Sequence, residues 1–126
     1  MIFFSSMYGR ISPEPRIYHE PMLPNPIDYG VVKAGIEQMV RYLAVHYGPR
    51  GIRVNAVVPG AFPHTTAANF HDADFQQFVA RLAKKAPMNR IGRQEELAGP
   101  VVFLASDEAS FVTGHCLVVD GGWTIW

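Results

Sequence analysis

Three short apolar segments, separated by longer helical segments, constrain most strongly what this chain can fold into. The apolar segments are rich in β-branched and aromatic residues, which is typical of buried strands. The predicted strands are residues 1–5, 52–58 and 115–119, and the predicted helices are residues 28–47, 74–84 and 94–105. Strands that are joined through helices usually run parallel in one sheet, so the sequence predicts an α/β fold.

The segment between the first strand and the first helix is rich in proline. Five prolines lie between residues 13 and 26, which excludes a helix and predicts a long, stiff loop. We expect Asp28 to cap the N-terminus of the helix that follows and Gly48-Pro49 to end it. Pro100 lies inside the last predicted helix and should weaken or bend it.

Composition excludes several classes of function. Eleven Lys and Arg balance eleven Asp and Glu, and no basic stripe is present, which argues against a nucleic-acid partner. The longest apolar runs, such as residues 101–105, are too short to span a bilayer, and nothing indicates a membrane-surface site. Cys116 is the only cysteine, so no internal disulfide can form and a cytoplasmic location is the expectation.

Tyr29 and Lys33 stand four positions apart on the long predicted helix and therefore share one face. A free phenol ionises near pH 10, and a nearby ammonium favours the ionised form, which would let this tyrosine act as a general acid or base. The pair alone is weak evidence, because a surface tyrosine beside a solvated lysine has the same spacing. Its neighbours in the fold give it more weight.

Short polar or glycine-containing motifs follow each of the three predicted strands. They are Ser5-Ser6-Met7-Tyr8-Gly9, Asn55-Ala56-Val57-Val58-Pro59-Gly60 and Asp120-Gly121-Gly122. In an open parallel sheet, ligands bind beyond the carboxyl ends of the strands, so all three motifs can face one crevice. Ordinary turn formation would explain each motif taken singly.

Together these motifs resemble the short-chain dehydrogenase/reductase (SDR) family. The resemblance comprises Ser-Ser-x-x-Gly, Tyr-x-x-x-Lys, Arg-Val-Asn-Ala-x-x-Pro-Gly and a C-terminal segment from residue 90 to 122, in that order. It covers nearly the whole chain. It implies a Rossmann-type doubly wound parallel sheet, of which residues 1–126 would be the C-terminal, catalytic half, with strand order β-α-β-α-β along the chain.

The resemblance also implies roles for individual residues. Ser6, with Ser5 as the alternative, matches the serine that binds the substrate oxygen, and Tyr29 matches the catalytic acid/base. Lys33 matches the lysine that promotes ionisation of the tyrosine and binds the nicotinamide ribose. The implied cofactor-binding residues are Tyr29, Lys33, Pro59, Gly60, Phe62 and Thr65, the last one position later than usual. No metal ligand is implied.

Two departures from the family pattern matter. The glycine-rich phosphate loop and the rest of the N-terminal nucleotide-binding half do not occur in these residues, so we expect the isolated chain to be inactive. Ser6 and Tyr29 are 23 positions apart, further than is usual, because of the proline-rich insertion at 13–27. That insertion resembles members acting on sugar or polysaccharide precursors, although a surface loop without a substrate role explains it equally well. Residues 61–88 would form a substrate-lid region.

The resemblance implies an NAD- or NADP-dependent oxidoreductase that interconverts a secondary alcohol and a ketone, with a small-molecule substrate. Two alternatives remain: an inactive fragment or oligomerisation module of such an enzyme, and an isomerase or lyase of the same fold. The long helix carries more apolar surface than one core face needs. A homo-oligomer, dimer or tetramer, and coverage by the rest of the domain explain that surface equally well.

Overall fold

A computed structural model describes every residue of the chain except 65, 67, 68 and 70. Its elements are β1 (Ile2–Phe4), α1 (Ile27–Tyr47), β2 (Asn55–Pro59), α2 (Ala73–Lys85), α3 (Ala98–Ala105) and β3 (Cys116–Val119), with short 3-10 turns between them. The strands form one sheet in the order β1-β2-β3, and both pairings are parallel. The predicted α/β fold with a parallel sheet is therefore confirmed.

The central strand β2 is buried on both of its faces. Ala56 and Val58 pack with Val40 and Ala44 of α1, and all four side chains are inaccessible or nearly so. Because side chains alternate along a strand, Val57 points to the opposite face, where it is also fully buried. α3 contacts β1 and β2 as well, so helices enclose the sheet as in a doubly wound fold.

The motif Arg53-Val54-Asn55 fastens β2 to its neighbours. The Arg53 guanidinium donates to the carbonyl oxygens of Leu104 and Ser106 at the end of α3, at 2.8 and 3.0 Å. The buried Asn55 side chain donates to the Val112 carbonyl oxygen and accepts from the His115 amide, at 2.9 and 3.0 Å. These bonds hold the start of β3 beside β2, so this part of the motif has a structural role.

Several boundaries differ from the prediction. The central strand runs over Asn55–Pro59 rather than 52–58, because the backbone before it bonds outside the ladder: the Val54 amide donates to the Thr113 hydroxyl. β1, β3 and α2 each differ by one residue at one or both ends. The helix N-cap is Pro26, with extended backbone, and α1 begins at Ile27, so the prediction of Asp28 as the cap is wrong. Asp28 is already inside the first turn, where a carboxylate suits the helix dipole. The helix predicted over 94–105 is divided into a 3-10 turn, Gln94–Leu97, and α3.

Pro100 does not interrupt α3. It is the third residue of that helix, where the backbone N–H has no acceptor within the helix and its loss costs little. The change from 3-10 to α geometry falls just before it, at Leu97 and Ala98.

Candidate active site

Glycine brings the segment after β1 into direct contact with α1. Residues Met7–Gly9 form a 3-10 turn, which Ser6 caps by accepting a hydrogen bond from the Tyr8 amide at 3.3 Å. A Cβ on Gly9 would lie only 2.8 Å from the Lys33 carbonyl carbon and the Ala34 nitrogen. Only a residue without a side chain permits this approach, which sets the serines beside the helix that carries Tyr29.

The two serines have different surroundings. Ser5 faces α1, and its hydroxyl donates to the Lys33 carbonyl oxygen at 2.8 Å, with the Glu37 carboxylate 3.4 Å away. Ser6 is also buried, but it lines a cavity that Tyr29 lines too. Of the two serines that the sequence left as alternatives, Ser6 is therefore the one that shares a cavity with the tyrosine.

Tyr29 and Lys33 lie side by side on the first turns of α1. The Lys33 ammonium nitrogen is 5.5 Å from the centroid of the Tyr29 ring, so the two groups share one helix face as their spacing predicts. The same ammonium donates to the Phe4 carbonyl oxygen at 3.1 Å. An ammonium has three N–H donors, so this bond leaves two for other acceptors.

The ends of β2 and β3 are pressed together. Gly60 donates to the Val119 carbonyl oxygen at 2.9 Å, and a Cβ on Gly60 would lie 2.5 Å from the Asp120 side chain. The Asp120 carboxylate accepts hydrogen bonds from Gly122 and Thr124, which fixes the turn after β3. Because the three strands are parallel, the motifs that follow them all lie at one edge of the sheet.

A cavity of about 210 Å³ lies at this edge of the sheet. Four of the predicted site residues line it: Ser6, Tyr29, Gly60 and Phe62. Lys33 and Pro59 border the same region, from α1 and from the end of β2, but do not line the cavity. Thr65 lies outside the described residues.

Tyr8, Tyr18 and Asn25 line the same cavity but were not among the predicted site residues. The Tyr8 and Tyr18 hydroxyls are hydrogen-bonded to each other. Burial, together with this contact, raises the pKa of Tyr8 well above its ordinary value, and burial also raises the pKa of Tyr18. The sequence offered one signal for each of the two tyrosines: Tyr8 lies inside the Ser-Ser-x-x-Gly motif, and Tyr18 lies in the proline-rich insertion.

A buried ion pair joins three elements behind the site. The Glu37 carboxylate, only 5% exposed, accepts from the Arg10 guanidinium at 2.9 Å, and Arg10 also donates to the Cys116 carbonyl oxygen of β3. The hydrogen bond to Glu37 raises the pKa of Arg10 above its already high value. This network ties the turn after β1 to α1 and β3.

Within the described part of the chain, no cluster of three or more His, Cys, Asp or Glu side chains could hold a metal ion. No described helix has the length and apolar character needed to cross a membrane.

In the comparisons with known proteins, this chain is similar to enzymes named as reductases or dehydrogenases. A family model described as enoyl-(acyl carrier protein) reductase matches residues 17–124. The chain is 44% identical over 94 residues to L-rhamnose 1-dehydrogenase (NAD(P)(+)) of Azotobacter vinelandii, covering 75% of this chain and 36% of that protein. It is 42% identical over 104 residues to 3beta-hydroxysteroid dehydrogenase 1 of Eggerthella lenta, covering 82% of this chain and 39% of that one.

The fold of the chain also matches that of solved structures. A short chain dehydrogenase from Leptospira borgpetersenii with bound NAD+ superposes with a TM-score of 0.82 at 35% identity. The match covers 98% of this chain and 43% of that one. The chain thus spans less than half the length of the proteins that it matches.

Proposed function

The chain belongs to the short-chain dehydrogenase/reductase family, and we propose that the protein carrying it is an NAD(P)-dependent oxidoreductase. It interconverts a secondary alcohol and a ketone. One observation carries this proposal: a phenol and a buried serine hydroxyl line one small cavity at the carboxyl edge of a parallel sheet, where such sheets bind ligands.

Each residue has a task in the proposed reaction. The Ser6 hydroxyl donates a hydrogen bond to the substrate oxygen and holds it near the phenol. During oxidation the Tyr29 side chain acts in its phenolate form and accepts the proton of the substrate alcohol; during reduction the phenol form donates that proton to the ketone oxygen and becomes the phenolate. The Lys33 ammonium, 5.5 Å from the Tyr29 ring centroid, stabilises negative charge on the phenol oxygen.

The residues present suit the nicotinamide end of a dinucleotide. Lys33 has two N–H donors left after its bond to Phe4, which matches a pair of ribose hydroxyls. Pro59, Gly60 and Phe62 supply a backbone edge beside the same cavity for the ring and its carboxamide, and Thr65 is proposed with them. When bound, the cofactor accepts a hydride from the alcohol carbon or donates one to the ketone carbon.

The substrate class, the location and the assembly of the protein belong to the same proposal. A sugar or a polysaccharide precursor is the proposed substrate class, supported by the polar insertion between Ser6 and Tyr29 and by the similarity to a rhamnose dehydrogenase. The protein is proposed to act in the cytoplasm as a homo-oligomer on a small molecule, without nucleic-acid or membrane partners. The zero net charge and the single, buried cysteine support that setting.

The test is a set of point variants in the intact protein that carries this chain. We expect Tyr29→Phe to lower kcat by about 10²-fold or more, the usual contribution of a general acid or base, with cofactor affinity largely kept. Lys33→Ala should impair both turnover and cofactor binding. Tyr42→Phe makes the same chemical change on the exposed side of α1 and should leave both unchanged.

The serines supply a second, matched comparison. Ser6→Ala should lower kcat, whereas Ser5→Ala should mainly lower Tm, because the Ser5 hydroxyl bonds α1 rather than lining the cavity. A Tyr29→Phe enzyme that retains half its rate would remove Tyr29 from the mechanism. Substrate turnover without any change in nicotinamide absorbance would instead favour an isomerase or lyase.

A further inference from the structure

The cavity that holds Ser6 and Tyr29 has a second polar group on its wall. Tyr8, from the turn after β1, and Tyr18, from the proline-rich insertion, meet there through their hydroxyls. Both side chains are partly buried. This pair lies outside the residues that carry the proposed proton transfer.

The insertion holds Tyr18 in place through three contacts with α2. Arg81 donates to the Ile17 carbonyl oxygen at 2.7 Å, and the Ile17 side chain is buried. The Tyr18 ring packs at a tilt against Phe78, with 5.4 Å between ring centroids. Further out, Lys85 forms an ion pair with Glu14 at 2.7 Å. A side chain anchored in this way is positioned before any ligand arrives, which is what a selective site needs.

The hydroxyl pair has unused hydrogen-bonding capacity. Two phenols carry two O–H donors, and the bond between Tyr8 and Tyr18 uses one of them. One donor and the remaining lone pairs are left for a molecule in the cavity. A ligand hydroxyl, which both donates and accepts, complements that set.

The rest of the described lining is uncharged. Besides the tyrosines, Ser6 and Asn25, it is formed by apolar side chains such as Met7, Phe78 and Leu82. A phenol ionises near pH 10, so Tyr8 and Tyr18 are neutral at physiological pH, and burial raises the pKa of each further. A charged ligand group would lose its hydration here without finding an opposite charge.

We propose that Tyr8 and Tyr18 form a specificity site that binds a second, uncharged hydroxyl of a small cyclic alcohol while Ser6 and Tyr29 hold the reacting one. This inference rests on the proposed function and refines its substrate class to neutral, ring-sized polyols. The cavity volume, about 210 Å³, is below that of sites for drug-sized ligands and agrees with a single ring.

The test compares cyclohexanol with the 1,2-, 1,3- and 1,4-cyclohexanediols in the intact protein with NAD and NADP. We expect at least one diol to exceed cyclohexanol in kcat/KM by about tenfold, the effect of one well-formed hydrogen bond. Tyr18→Phe and Tyr8→Phe should abolish that preference while cyclohexanol turnover stays within about twofold of the original. Tyr42→Phe is the matched control.

A binding measurement separates this inference from the proposed function. NMR titration of the same alcohols reports affinity without any turnover. If the original protein oxidises no alcohol, the proposed function fails, yet weaker diol binding in Tyr18→Phe would still support the hydroxyl site. Absence of diol binding, equal losses for diols and cyclohexanol, or a preference for 4-hydroxycyclohexanecarboxylate over the diols would each overturn the inference.

Discussion

Gly9 controls how closely the segment after β1 can approach the helix that carries the proposed acid/base. There is no room for a Cβ at this position, because the nearest atoms belong to the backbone of α1 and cannot rotate away. The glycine of the Ser-Ser-x-x-Gly motif is therefore explained by close packing, while the serines of the same motif face α1 and the cavity. A motif that reads as one unit in the sequence thus combines residues with separate physical tasks.

We expect Gly9→Ala to lower the free energy of unfolding by about 1–3 kcal/mol, the usual cost of overpacking a tight contact. It should also lower kcat, because the displaced helix carries Tyr29. Gly35→Ala is the control: it lies in the interior of α1 with open space around it, so alanine should stabilise the helix by about 0.5–1 kcal/mol. Chemical denaturation of both variants measures the difference. Equal stability of the two would contradict the packing argument.

At the scale of the elements, a single carboxylate holds the turn before α3. Glu96 accepts from the Arg93 amide at 2.8 Å and forms two bonds of 2.7 Å with the Arg90 guanidinium. Arg90, helped by the Arg93 amide, holds the pKa of Glu96 at about 2. This pairing fastens the Gln94–Leu97 turn to the segment after α2, beside the loop that follows β2.

The depressed pKa predicts a pH dependence. An unfolded chain protonates glutamate near pH 4.3, so the ion pair stabilises the fold fully above that pH and loses its contribution as pH falls towards about 2. Glu96→Gln should therefore lower Tm at pH 7, and the difference from the original protein should shrink between about pH 4.5 and 2. Thermal unfolding followed by circular dichroism across this range measures it. Glu95→Gln, at the exposed neighbouring position, is the control and should change Tm little at any pH. If the Tm difference between Glu96→Gln and the original protein did not vary with pH, the ion pair would be excluded as its source.

At the scale of the whole molecule, the outer face of α1 exposes several apolar side chains. Four side chains on one face are each at least 66% exposed, and all are apolar or aromatic: Ile27, Val31, Tyr42 and Val45. A contiguous exposed apolar patch is a mark of a protein contact site. Coverage by another part of the same protein and coverage by a second copy both satisfy that need.

The proposed homo-oligomer predicts that charge on this face will separate the copies. In the intact protein, Tyr42→Lys with Val45→Lys should reduce the mass measured by light scattering to that of one chain, since buried unpaired charges oppose association. These two positions do not line the cavity. An unchanged far-ultraviolet circular dichroism spectrum would show that the double variant still folds. Leu23→Lys, an exposed apolar position in the insertion, is the matched control. An assembly that survives the double change would show that this face does not hold the copies together.

The sequence alone determined the kinds of element, their order and the placement of the motifs at strand ends. Those properties follow from local periodicity and from proline and glycine, which act over a few residues whatever the rest of the chain does. The placement of Ser5 against the Lys33 carbonyl oxygen, and of Ser6 with Tyr29 on the wall of one cavity, depended on packing. The meeting of Tyr8 with Tyr18 also required the tertiary structure, because the insertion is positioned by Arg81, Phe78 and Lys85 of α2, some 60 residues away along the chain. Local pattern cannot predict such contacts, since they exist only once distant elements are brought against one another.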